Sequence, residues 1–144
     1  MRETRGGATL IELLVVTVII GLLAVAAVPQ YFILLERARL SEAKGLFASM
    51  KSAQARVMAR HGNYTNRWEM LDLIYTDAAG KVCAGSAPCV QRLYTYFLDE
   101  GGNVYATRNA APTPPMHYGL YTLIYDINTG ETTCTSAKCI LDLI

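Results

Sequence analysis

The sequence predicts an α+β fold in which one long N-terminal helix packs on a four-stranded antiparallel sheet, and three observations carry that prediction. Residues 10–28 are nineteen in succession whose only charge is Glu12, close to the roughly 20 apolar residues that a helix needs to cross a bilayer. Residues 30–61 then continue in helix-forming vocabulary without a proline until Gly62-Asn63. From residue 93 the chain changes to tyrosine, threonine, valine and isoleucine runs separated by glycine-containing turns, which is strand and hairpin vocabulary. A length of 144 residues suffices for one compact domain plus an anchoring helix.

The first seven residues, MRETRGG, are polar and carry two arginines, and the apolar run follows directly. A cleaved secretory signal would end its apolar core in small residues, as residues 24–27 could provide. This run is longer than such a core and continues through Pro29 into more helix, so a break before the run fits better. Glu12 is the anomaly within it, because a carboxylate in hydrocarbon costs several kcal/mol unless it finds a partner.

A helix over residues 8–61 would be about 80 Å long, so half of it should project beyond any small domain. Gly21 and Pro29 are its weak points, since glycine destabilises a helix interior and proline removes a hydrogen bond. Ala43, Leu46, Met50, Ala53 and Val57 recur at three- and four-residue steps and predict the face that packs. Arg37, Lys44 and Lys51 fall on another face at heptad spacing and read as a solvated stripe.

Residues 63–92 are connective. Asn66 with Glu69 predicts a capped short helix over residues 68–74, followed by a loop stapled by cysteines. The triplet Asn63-Tyr64-Thr65 matches a glycosylation sequon but reads more simply as a turn. Residues 93–98 and 103–107 flank Asp99-Glu100-Gly101-Gly102, and residues 118–127 and 131–135 flank Asn128-Thr129-Gly130, which gives two hairpins. The proline-rich segment AAPTPP joins them, and TCTSAKC closes the last loop. Tyr94, Tyr96, Tyr105, Tyr118, Tyr121 and Tyr125 should supply the packed face and rim of the sheet.

Four cysteines form two close pairs, Cys83 with Cys89 and Cys134 with Cys139. An even number in a chain that looks exported favours disulfides, with two local loops the simplest connectivity. A four-cysteine zinc site competes, but zinc ligands are usually spaced by two to four residues, and the first pair has five between its members.

Catalysis would need a nucleophile beside a base, paired carboxylates, a phosphate-cradling loop or a metal cluster, and no such constellation is legible. His61 and His117 belong to no ligand-spaced group, and Gly101-Gly102 reads as a turn. The sequence therefore predicts neither an enzyme nor a cofactor. Net charge is +1, and removal of residues 1–7 leaves eleven charges of each sign, which argues against nucleic acid as the main partner.

Gly7 followed by Ala8-Thr9-Leu10-Ile11-Glu12-Leu13, then Gly21 and Pro29-Gln30-Tyr31, closely resembles the N-terminus of type IV pilins and their pseudopilin relatives. With Gly7 as the last leader residue, Glu12, Gly21, Pro29 and Tyr31 occupy the family's fifth, fourteenth, twenty-second and twenty-fourth mature positions. Ala8 stands where the family most often has phenylalanine. The likeness is strong over about the first 40 residues and architectural beyond them.

The resemblance implies a prepilin with a leader over residues 1–7, an assembly helix over 8–30 and a globular head over 31–144. A prepilin peptidase would cut after Gly7 and methylate the new amine of Ala8. The protein would wait in the cytoplasmic membrane as a single-pass precursor, and pilus assembly machinery would polymerise it with copies of itself into an extracellular filament serving motility, adhesion or DNA uptake. Glu12 would pair with the Ala8 amine of a neighbouring subunit and set its register. A minor pilin or type II secretion pseudopilin is the near alternative. A single-pass membrane-anchored binding domain is the alternative from another class.

Overall fold

The computed structural model describes residues 9–111 and 118–144. Gly7, Ala8, the leader, His117 and most of the AAPTPP connection lie outside them. The chain divides into two compact units, residues 1–34 and Leu35–Ile144. Helix α1, Leu10–His61, contributes to both, and Gly62 ends it in the left-handed region at φ 76°.

Within the first unit every described side chain from residue 10 to residue 32 is exposed, and Pro29 stands inside the helix. The second unit is a five-stranded antiparallel sheet with its chain segments in spatial order: β1 Cys89–Val90, β2 Tyr94–Leu98, β3 Val104–Arg108, β4 Thr122–Tyr125 and β5 Thr132–Cys134. Alternation along β2 and β3 sends Tyr94, Tyr96, Leu98, Val104 and Ala106 into the core, as the two-residue strand period requires. They are buried together with the Leu40, Ala43, Phe47, Met50, Ala53 and Val57 stripe of α1. Phe47 stacks on Tyr125 with ring centroids 5.4 Å apart.

Five strands replace the four expected. The extra one, β1, is only two residues long, too short to show a period in sequence, and it exists because Cys89 and Val90 pair with Tyr96 and Thr95. The α1 stripe is also displaced from the expected one, because Phe47 is buried whereas Leu46 is only half-buried. The short helix expected over 68–74 reduces to a single 3-10 turn, Trp68–Met70. Its cap fails because Asn66 is not the residue engaged. The Thr65 hydroxyl accepts the Arg67 N–H, and the Glu69 carboxylate accepts the amide of Gly85, 16 residues away. The TCTSAKC loop continues into a second helix, α2, Ala137–Leu143, whose Cys139 and Leu143 face inward at four-residue spacing.

The β2–β3 and β4–β5 turns are stitched to each other. Asn103 accepts the Ile127 amide at its Oδ1, and Tyr64 donates to the Asn128 side chain while its ring lies against Gly102. Gly102 has φ 82°, and a Cβ there would come within 2.7 Å of the Tyr64 ring, so both backbone and space require glycine.

Candidate functional site

Two features of α1 are unusual enough to bear function: its uncovered apolar half and a buried charge in its other half. The apolar half includes an 18-residue window of mean hydropathy 2.8 in which no residue is buried, long and apolar enough to cross a membrane. Leu10 is 82% and Val25 76% exposed, far beyond what a solvent-facing helix normally carries. Nothing lies within 4 Å of where a Cβ on Gly21 would be, so contacts within the chain do not explain that glycine. Pro29 offers no N–H to the carbonyl of Val25, one turn earlier.

Glu12 lies in the first turn of this helix. Its carboxylate accepts the Thr9 amide at 3.3 Å while the Thr9 hydroxyl accepts the Glu12 amide at 3.3 Å. This reciprocal arrangement satisfies two amides that a helix start otherwise leaves bare, and a carboxylate there is favoured by the helix dipole. The Thr-x-x-Glu spacing announces it in the sequence, though reading Glu12 solely as an intermolecular partner misses it. Ala8 and Gly7 fall outside the described residues, so Glu12, Gly21, Pro29 and Tyr31 are the N-terminal landmarks that the structure places, all four on one helix.

The buried charge is Glu36. Both it and Arg108 have fully buried side chains, and Arg108 Nε donates to Glu36 Oε1 at 2.7 Å. Tyr121 donates to the same oxygen at 2.9 Å, and Arg39 Nη1 donates to Oε2 at 3.0 Å. Tyr94 and Tyr121 share a hydrogen bond of 2.9 Å between their hydroxyls, while Arg108 also donates to the carbonyls of Leu93 and Asn109. The guanidinium carbon of Arg108 lies 5.7 Å from the Tyr94 ring centroid.

Burial alone would raise the Glu36 carboxyl, but the hydrogen bonds from Arg108, Tyr121 and Arg39, with the charge of Arg108, outweigh it and hold it below its ordinary value. Burial pushes Tyr94 up to about 12 and raises Tyr121 as well, so both phenols stay protonated at neutral pH. The cluster thus ties α1 to β2, β3 and the segment before β4. Sequence reasoning passed over it because charged residues were assigned to the surface. The signal was positional: residues 36, 40, 43, 47, 50, 54 and 57 form one three-and-four stripe, so Glu36 and Gln54 occupy core positions. Gln54 satisfies its own burial by bonding both ways to the backbone of Thr65.

Of the basic stripe, Lys44 and Lys51 are exposed, whereas Arg37 donates to the carbonyl of Asp142 at 2.7 Å and holds α2 against α1. Cys83 is bonded to Cys89 with Cα atoms 5.5 Å apart, and Cys134 to Cys139 at 6.1 Å. The first bond tethers the loop to β1, and the second tethers α2 to β5. His61 is exposed at the end of α1, and among the described residues no group of three His, Cys, Asp or Glu is placed to hold a metal ion.

No family model matches the chain. It is 41% identical over 64 residues to the type IV major pilin protein PilE1 of Neisseria gonorrhoeae, a match covering 44% of this chain and 39% of that protein. A fimbrial protein of Neisseria meningitidis serogroup B is likewise 41% identical over 64 residues, with 44% of this chain and 38% of the relative covered. The match thus spans about two fifths of the length of these Neisseria relatives. The type IV major fimbrial protein FimA of Dichelobacter nodosus is 31% identical over 120 residues, which covers 77% of each chain.

Proposed function

The chain belongs to the type IV pilin family, and from that premise we propose that it is a structural subunit of a type IV pilus, polymerised through its apolar helix. The observation that carries the proposal is the N-terminal part of that helix, residues 10–32: apolar, exposed at every position in the single chain, and charged only at Glu12. Such a surface is stable in two settings, a bilayer and a bundle of like helices, and a pilin uses both in turn.

In the proposed sequence of events, a prepilin peptidase cuts after Gly7 and methylates Ala8, and the precursor waits in the cytoplasmic membrane. Assembly machinery then lifts it onto a growing filament, where Glu12 meets the Ala8 amine of a neighbouring copy. The Thr9–Glu12 cap supports this role in a specific way. It engages one carboxylate oxygen, Oε2, and among the described residues no hydrogen bond engages the other, to which an ammonium group could donate. Gly21 and Pro29 would let the helix bend or locally unwind on assembly. Relatives named as major pilins and a major fimbrial protein favour the main subunit over a pseudopilin.

Electron microscopy of sheared surface filaments, with intact-mass analysis of their chief component, tests the reading. The expected result is a filament built from this chain lacking residues 1–7; surface-exposed protein that retains them, with no filament, overturns it. The substitution Glu12→Ala should leave membrane insertion intact and abolish or stunt filaments. Normal filaments from that variant would sink the pairing of Glu12 with Ala8.

A further inference from the structure

The head carries a groove that assembly through the N-terminal helix leaves without a task. It runs between α1 and the β4–β5 hairpin, encloses about 360 Å³, and is lined by Lys44, Phe47, Ala48 and Lys51 from the helix and by Tyr125 and Thr132 from the hairpin. The stacked rings of Phe47 and Tyr125 form its floor, and Thr132 stands opposite Tyr125 across the ladder. Lys44 and Lys51 are exposed and two helical turns apart, about 10 Å along the axis.

The charge of this groove is one-sided. Arg39, Arg56, Arg60, Arg67 and Arg108 each meet a carboxylate, whereas among the described residues neither Lys44 nor Lys51 forms an ion pair, and no carboxylate lines the groove. A Cβ on Gly130 would come within 3.2 Å of Lys51 Nζ and 3.7 Å of the Tyr125 hydroxyl, so the bare backbone of that turn leaves room for both polar groups at one end of the groove.

Two unopposed ammonium groups above an aromatic floor discriminate among ligands. A small inorganic anion would answer the charges and leave the floor wet, and a neutral apolar ligand would strip water from two cations without return. An acidic peptide brings main-chain N–H donors, but the ammonium groups only donate, and the Thr132 and Tyr125 hydroxyls are the side-chain acceptors on offer. An acidic sugar matches each feature: a C–H face for the rings, a carboxylate for each ammonium, and hydroxyls that rotate to suit Thr132. A mostly apolar lining with a few placed polar groups, in a volume of this size, is the ordinary form of a small-ligand site.

We propose that this groove binds an acidic polysaccharide of the uronate class, with Lys44 and Lys51 each taking a carboxylate, the Phe47–Tyr125 pair supporting a sugar ring, and Thr132 bonding to a hydroxyl. The proposal goes beyond the pilus reading and does not depend on it, because a single head carries the whole groove.

The test titrates the full chain, in detergent micelles, with a galacturonate hexamer and follows the amide resonances by nuclear magnetic resonance. The expected result is saturable binding with shifts concentrated at Lys44, Ala48, Lys51, Tyr125 and Thr132. The double substitution Lys44→Gln with Lys51→Gln should melt as the unsubstituted protein does and weaken binding by about tenfold or more. Thr132→Val should weaken it about threefold, and Lys138→Gln, at an exposed cation of α2, should leave it unchanged. Equal losses from Lys138→Gln and from the groove pair, or no loss from Thr132→Val, reduce the binding to general charge attraction and overturn the proposal. Absence of saturable binding overturns it too, as does a glutamate hexapeptide that binds the same residues as tightly, which would make the groove an acidic-peptide site. A chain that binds the hexamer yet forms no filament upholds this proposal and defeats the pilus reading alone.

Discussion

The substitution Glu36→Ala is the most discriminating test of how the head is held together. Both members of the Glu36–Arg108 pair are fully buried, 2.7 Å apart, and the carboxylate is also the acceptor for Tyr121 and Arg39. Removal of the carboxylate leaves the Arg108 guanidinium charged in the core without its counter-ion, although it still donates to the Leu93 and Asn109 carbonyls. Breaking a buried pair from one side costs about 3–5 kcal/mol, because the surviving charge has lost its solvent and its partner together. Spread over the 110 residues of the Leu35–Ile144 unit, that loss lowers the melting temperature by roughly 10–20 °C. Thermal melting of the full chain in detergent, followed by the near-ultraviolet dichroism of the core tyrosines, measures it. The double substitution Glu36→Leu with Arg108→Met should stay within about 1 kcal/mol of the natural protein, since it removes both fully buried charges together and leaves the Arg39 cation, 20% exposed, within reach of water. A single variant that melts within about 4 °C of the natural protein, or a double variant as unstable as the single one, refutes the reasoning.

Three further outcomes follow from the same geometry. The folded Glu36 carboxyl titrates below its ordinary value of 4.5, so its contribution to stability is complete above that value and is lost as pH falls through the folded pKa; urea midpoints at neutral pH and about pH 3 should therefore diverge more for the natural protein than for Glu36→Gln. Replacing Cys134 and Cys139 together by serine opens a loop of sequence separation 5, which the chain-entropy model values at about 2 kcal/mol, and hydrogen exchange should show α2 losing protection before the sheet does. Gly102→Ala meets both a left-handed φ and the Tyr64 ring, and should cost about 1–3 kcal/mol in urea unfolding, whereas Gly101→Ala, with only the Asp99 and Asn103 side chains near, should cost less.

What could be read from the sequence was whatever repeats or punctuates. The apolar run, the proline-free continuation and the Gly62 stop defined α1 to its last residue, and the glycine-containing turns located both hairpins. The elements that escaped are those made by contacts distant in sequence. Strand β1 is two residues whose extended shape depends on Tyr96 and Thr95 across the ladder. Helix α2 looked like a cysteine loop because its leading residues, Thr135-Ser136-Ala137-Lys138, are weak in pattern, and only Cys139 and Leu143 with their inward burial reveal the helical repeat. The Glu69 cap was lost to a remote amide, that of Gly85. Glu36 escaped for a different reason: a glutamate on an apolar stripe is identifiable only once its partner is known, and Arg108 lies 72 residues away. At the N-terminus the sequence reached further: Glu12 closes a cap with Thr9, whereas no contact within the described chain explains Gly21.

The order of the strands has a consequence for how the head forms. Each strand pairs with the strands next to it in sequence, and each disulfide joins cysteines six or five residues apart. The sheet is therefore a product of short loop closures, which are fast and of small entropic cost. The longest closures lead to α1, among them Arg108 reaching Glu36 across 72 residues, Tyr121 reaching Glu36 across 85, and Asp142 reaching Arg37 across 105. The topology predicts folding in two parts of unequal speed, local zipping of the meander and a later docking of that meander on α1. Mutations in the Glu36 cluster should accordingly accelerate unfolding while leaving the early folding rate untouched, because they act on the step that comes last.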